Sequence, residues 1–149
     1  RGHGMKLTSA TVLEGVIEAL RDQIAPGLQD AFAAEAARMA GSLIAIAGRA
    51  GEDAAAIRVE ENARMRAIFA EAVKVVDNAD LASRLREAAA SCDPGLRLSQ
   101  LDSETARLRA LLVELHARLE DMESEDARRL DREIWCAIRD AEMARAPRG

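Results

Sequence analysis

The chain has 149 residues, 49% of them hydrophobic and 32% charged, with a formal net charge of −5 and a pI near 5.2. That mix describes a folded protein rather than a disordered one, and a chain long enough to bury a core without metal or disulfide staples. The acidic balance and the scatter of the charges speak against general affinity for nucleic acid or anionic membrane.

Tyr is absent and only 2 Phe and 1 Trp occur, while Ala, Leu, Glu and Arg abound. Strong helix formers dominate and strand formers are scarce, so an all-α fold is expected before any pattern is read. The opening RGHG reads as a vector-derived scar at residues 1–4 ahead of a native Met5, which sets His3 aside. Residues 5–149 are then expected to form a single all-helical domain.

The first helix is expected over about 9–24. Thr11 with Glu14, or Thr8 one turn earlier, supplies the cap, and Leu13, Val16, Ile17, Leu20 and Ile24 share one stripe. Pro26 and Gly27 punctuate the chain. A second helix over about 28–49 carries Phe32, Ala36, Met39, Leu43 and Ile46 as its expected buried stripe, with Gly48 and Gly51 ending it. Its small residues Ala33, Ala37, Ala40 and Gly41 would admit a close neighbour, as in a central bundle helix. The stretch from Met39 to Gly48 lacks charge, but Arg38 and Arg49 bound it, and no run of about 18 uninterrupted apolar residues occurs. No membrane span is expected, and a cytoplasmic location is.

A third helix should start near Glu52 or Asp53 and reach about Val76, with Ile57, Met65, Ile68, Phe69, Ala72, Val73 and Val76 as its stripe. Asn78 or Asp80 caps a short helix to about Ser91. Asp93-Pro94-Gly95 is turn chemistry and reads as the clearest boundary. Beyond it Leu101, Leu108, Leu115 and Met122 recur every seven residues, with Leu112 and Leu119 in the same register, a coiled-coil-like seam. Glu123–Asp126 is the expected reversal, with Ser124 capping a last helix whose stripe is Leu130, Ile134, Ile138 and Ala141. The expectation is a helical bundle over 9–91 followed by a long C-terminal antiparallel hairpin over 99–145, with Glu114–Arg118 and Glu125–Arg129 as local ion pairs.

Few residues ask for chemistry. His116 could act as a base or ligand, but its helical neighbours are Leu112, Val113, Leu119 and Glu120, so a boundary histidine satisfied by Glu120 or water is the expectation. Glu60-Glu61 begins like an acidic metal-binding helix, and Arg64 and Arg66 then interrupt the pattern. Cys92 and Cys136 read as ordinary thiols. No phosphate-loop, dinucleotide or nucleophile-elbow motif is present, so no cofactor, metal ligand or catalytic residue is assigned. Arg38, Arg58 and Arg64, with Arg66, could line a pocket for an anion such as a phosphate or a CoA moiety.

Val12 to Arg49, VLEGVIEALRDQIAPGLQDAFAAEAARMAGSLIAIAGR, resembles a family of short bacterial helical domains of unknown function. The resemblance rests on Ile24, Pro26, Leu28, Phe32, Leu43, Ile46 and Arg49, and extends to REIWCAIRDAE at residues 132–142. That family is encoded with aminoglycoside-phosphotransferase-like kinases and acyl-CoA dehydrogenases, which implies a partner enzyme and no catalytic residue. The chain departs from the family in its longer C-terminal seam and in lacking the closing Asn-Pro segment. The resulting expectation is an accessory or interaction protein rather than an enzyme, a homodimer joined through Leu108, Leu115 and Trp135. The runner-up is a binder of, or enzyme on, acyl-CoA or phosphorylated metabolites, with a pocket lined by Arg38, Arg58 or Arg64.

Overall fold

Thr8 begins the first helix: its hydroxyl accepts from the Thr11 amide at 3.2 Å, the earlier of the two expected caps. Helix α1 (Ser9–Glu18) widens into a π-helical segment (Ala19–Ile24) and closes as the short α2 (Ala25–Gly27). The widening has a local cause. Pro26 offers no N–H and its ring crowds the carbonyl four residues back, and a wider turn, in which the Ala25 amide reaches the Leu20 carbonyl, relieves that crowding. The computed structural model describes residues 7–146, so the expected scar at 1–4 and Met5 lie outside the described residues. Among the described residues every regular element is helical, and the fold class is all-α.

The second and third expected helices are one. Helix α3 runs Ala31–Ala72 without a break. Asp30 caps it, its two carboxylate oxygens accepting from the amides of Phe32 and Ala33, both at 3.2 Å. Gly48 and Gly51 were expected to end a helix; a glycine cap does so by taking a positive φ just past the last turn, and no described glycine adopts one. Each glycine costs a helix roughly 1 kcal/mol against alanine, and the surrounding Ala45, Ala47, Ala50 and Ala54–Ala56, with no proline in reach, sustain the helix through that cost. Helix α3 also contains an 18-residue stretch of mean hydropathy 1.2, only 11% of it buried. By length and composition it is apolar enough to cross a membrane.

Helix α4 (Ala79–Ala90) is capped by Asn78, whose side-chain oxygen accepts from the Leu81 amide at 2.9 Å. Helix α5 (Leu98–Glu120) is followed after a short turn by α6 (Glu125–Arg145), capped by Ser124 as expected. The described residues form two compact units, the first ending at Glu52 and the second Asp53–Ala146.

In the first unit α1 lies against the small-residue face of α3. A methyl group on Gly41 would meet Ile17 and Leu20 at 3.9 Å, and one on Gly48 would meet the Leu13 methyl at 3.1 Å. Ala34 and Gly41 are buried on this face, while Leu13, Ile17 and Leu20 are half-buried. The expected stripe is on the other side and is open: Phe32 is 83% exposed, Leu43 60%, Met39 58% and Ile46 37%. The physical reason is that backbones approach most closely where side chains are smallest, so α1 takes the Ala/Gly face and leaves the larger residues uncovered.

The second unit carries a core of its own. Met65, Ile68, Phe69 and Ala72 of α3 meet Leu81 and Leu85 of α4, Leu108, Leu112, Leu115 and Leu119 of α5, and Leu130 and Ile134 of α6. The expected boundary at Asp93-Pro94-Gly95 falls inside this unit. Asp93 accepts from Asn62 Nδ2 at 2.9 Å and from Arg66 at 2.8 Å, which ties the turn to α3.

Candidate functional site

The three seam and anchor residues fare differently. Leu108 and Leu115 are fully buried in the second unit's own core, so their apolar surface is already used within the chain. Trp135 is 56% exposed and stands edge-on to His116, with ring centroids 5.4 Å apart and planes at 87°. His116 Nδ1 lies 2.7 Å from an Asp131 carboxylate oxygen on α6, and Nε2 stands 3.6 Å from Glu120. The expected partner was Glu120. The closer one comes from the neighbouring helix, fifteen residues away in sequence, where helical spacing gives no hint of it.

The local ion pairs are rearranged in the same way. Glu114 binds Arg84 of α4 rather than Arg118, and Arg118 reaches Asp77. Arg129 pairs with Glu133 and Asp126 rather than Glu125. Hydrogen bonds from Arg84 and from Arg118 hold the Glu114 and Asp77 carboxyls below the usual carboxylate range.

The three candidate anion-binding arginines are not brought together. Arg38, in the first unit, binds Glu35 one turn away at 2.8 Å. Arg58 donates to Asp102 of α5 and to the Ala54 carbonyl. Arg64 donates to Asp140 of α6 at 2.7 Å. The fourth arginine, Arg66, is nine-tenths buried between Asp93 and Glu104, each at 2.8 Å, with Ser91 at 3.1 Å from its Nε. Arg107 grips the same Glu104 from the next turn, and that pairing, helped by Arg66 and opposed by burial, keeps the Glu104 carboxyl below its ordinary range. Beside this cluster Asn62 is fully buried, donating to Asp93 and accepting from the Thr105 hydroxyl at 2.8 Å. All these groups are satisfied, so the cluster holds α3, α5 and the 91–97 turn together and leaves no open valence for a ligand.

A signal for Asn62 and Thr105 existed in the sequence. Asn62 is one turn before Met65 on the stripe that leads to Phe69. Thr105 occupies the seam position between Leu101 and Leu108, and a polar residue in such a position marks a specific buried partner.

Arg64 borders a cavity of about 300 Å³ in the second unit, between α3, α5 and α6. Two arginines and three carboxylates stand on its lining: Arg64 and Arg109, against Glu60, Glu61 and Asp140. Glu61 is largely buried and accepts from Arg109 at 2.6 Å and also from Arg145. Burial works against the Arg109 charge, and its hydrogen bonds to Glu61 and Glu142 outweigh that, so its pKa is raised. Hydrogen bonds from Arg64 and then Arg139 hold the Asp140 carboxyl below its ordinary range.

An open apolar feature among the described residues is the α3 stripe of the first unit. Phe32, Ala36, Met39, Leu43 and Ile46 recur at intervals of four, three, four and three residues, which places them on one helix face. Comparison with protein-family models, with curated proteins and with solved structures gives no match to this chain.

Proposed function

We propose that the chain is a small helical accessory protein that works by association, a helical bundle with an antiparallel α5–α6 hairpin that forms a homodimer through the open α3 stripe. The observation that carries this reading is the exposure of Phe32, Met39, Leu43 and Ile46 on one face of the first unit, while the second unit has a core of its own. The stripe exposes on the order of 500 Å², so two copies together reach the ~1,000 Å² that a specific interface requires. Exposed apolar patches of this size are often functional.

The chemistry of the stripe favours a second copy. Its neighbours Glu35 and Arg38 neutralise one another, which leaves an apolar strip with no charge to select a different partner. Such a strip is self-complementary about a two-fold axis. A bilayer is the less favourable occupant. The α1 helix packed on the other side of α3 carries Glu14, Glu18, Arg21 and Asp22, and these would enter the hydrocarbon with it.

The test is light scattering across the micromolar range, with flotation on phosphatidylcholine vesicles alongside. A dimer that Phe32→Glu and Leu43→Glu convert to a folded monomer, with Trp135→Ala without effect, supports the reading. A wild-type monomer throughout, or a chain that floats with the vesicles, ends it. The kinase or dehydrogenase partner implied by the resemblance would bind this same dimer, and co-purification tests that separately.

A further inference from the structure

We infer that the cavity of the second unit binds a small molecule with an apolar body and a cationic head, of the alkylamine class. The space exists because α6 presents alanine on three successive turns. Ala137, Ala141 and Ala144 all line it, and a leucine at any of these positions would occupy much of the volume. Ile57 and Met65 of α3 and Leu112 of α5 complete an apolar wall. At about 300 Å³ the cavity is at the small end of the range that takes organic ligands.

The rim decides the sign of the head group. Three carboxylates, Glu60, Glu61 and Asp140, and the two guanidiniums of Arg64 and Arg109 stand on the lining, while Arg145 and Arg139 reach Glu61 and Asp140 from off it. Both guanidiniums are committed, Arg64 to Asp140 and Arg109 to Glu61 and Glu142. Glu60 is exposed at the rim and takes part in no ion pair among the described residues. A bound ammonium would find an unpaired acceptor in Glu60, whereas a carboxylate or phosphate would find both lining arginines already paired. The arginine-lined anion pocket, the runner-up reading of the sequence, thus gives way to a site of opposite preference.

Calorimetric titration with hexylamine, hexanol and hexanoate at neutral pH tests this. Hexylamine should bind about fivefold more tightly than hexanol, the scale of a partly exposed ion pair, and hexanoate most weakly. Glu60→Gln should remove the amine preference and leave hexanol binding unchanged. Ala141→Leu should remove binding of both, with circular dichroism reporting the fold. Ala144→Leu fills the same space one turn on, should the first variant unfold. Phe32→Glu should leave the titration untouched, which separates this site from the dimer face. Hexanoate binding as tightly as hexylamine, no saturable heat from any of the three, or hexylamine binding that survives a folded filling variant would each overturn the inference.

Discussion

Leu108→Ala separates two roles that one leucine cannot hold together. As a dimer-seam residue Leu108 would face solvent in the monomer, and truncation would weaken association with little effect on folding. In the structure it is fully buried among the residues of the second unit's core. Removing three carbon atoms from such a site forfeits their transfer free energy and leaves a void, at a cost of about 3 kcal/mol. For a cooperative unit of this size that corresponds to a fall in Tm of roughly 15 °C. The contrasting variant is Phe32→Ala in the first unit, where the ring is 83% exposed. Its effect on the stability of the monomer should stay within about 0.5 kcal/mol. If the ring is covered in a two-fold dimer, both protomers lose it, and association weakens by about 2 kcal/mol per ring and about 4 kcal/mol in all, roughly a thousandfold in dissociation constant. Thermal unfolding by circular dichroism reads the first quantity, and sedimentation or light scattering over a dilution series reads the second. A Leu108→Ala protein that melts like wild type yet dissociates more readily would refute the argument, because it would place the seam on the outside.

Asn62→Leu should lower stability by about 2 kcal/mol, since it removes the bonds to Asp93 and Thr105 from a fully buried site, and urea unfolding measures it. Stability unchanged would mean the network adds nothing. Glu104→Gln should destabilise at neutral pH and lose that effect in acid. The native carboxyl titrates below its ordinary 4.5, so its contribution is present above that pH and disappears as pH falls through the lowered native value. Melting curves at pH 7 and near pH 3 check the sign, and a difference that grows in acid contradicts it. Gly51→Ala should stabilise by roughly 0.5–1 kcal/mol, because the glycine sits in helical backbone and nothing lies within 4 Å of an added methyl. Destabilisation would mean that a helix ends there after all.

The second unit was largely legible from its sequence. Leu101, Leu108, Leu112, Leu115 and Leu119 are all buried, as their seven-residue register requires, and Met65, Ile68, Phe69 and Ala72 fall on the buried side of α3. The candidate sites were much less legible. The cavity depends on three alanines of α6 standing opposite Ile57, Met65 and Leu112, and the rim depends on Asp140 meeting Arg64 across 76 residues. His116 finds Asp131 in the same way. Spacing along a helix reports neighbours one turn away, and none of these partners is one turn away on the same helix.

What the sequence determined by itself is local and periodic. Thr8, Asn78 and Ser124 cap their helices because a side-chain oxygen in the right position satisfies an amide of the first turn, and this needs no other element. Alternation every three and four residues determined which side chains share a face. Only the tertiary structure decided what covers each face. It gave the Ala/Gly side of α3 to α1 and left Phe32, Met39, Leu43 and Ile46 open, because the closest approach of two backbones is set by the smallest side chains available, and periodicity carries no information about which face a neighbour will choose.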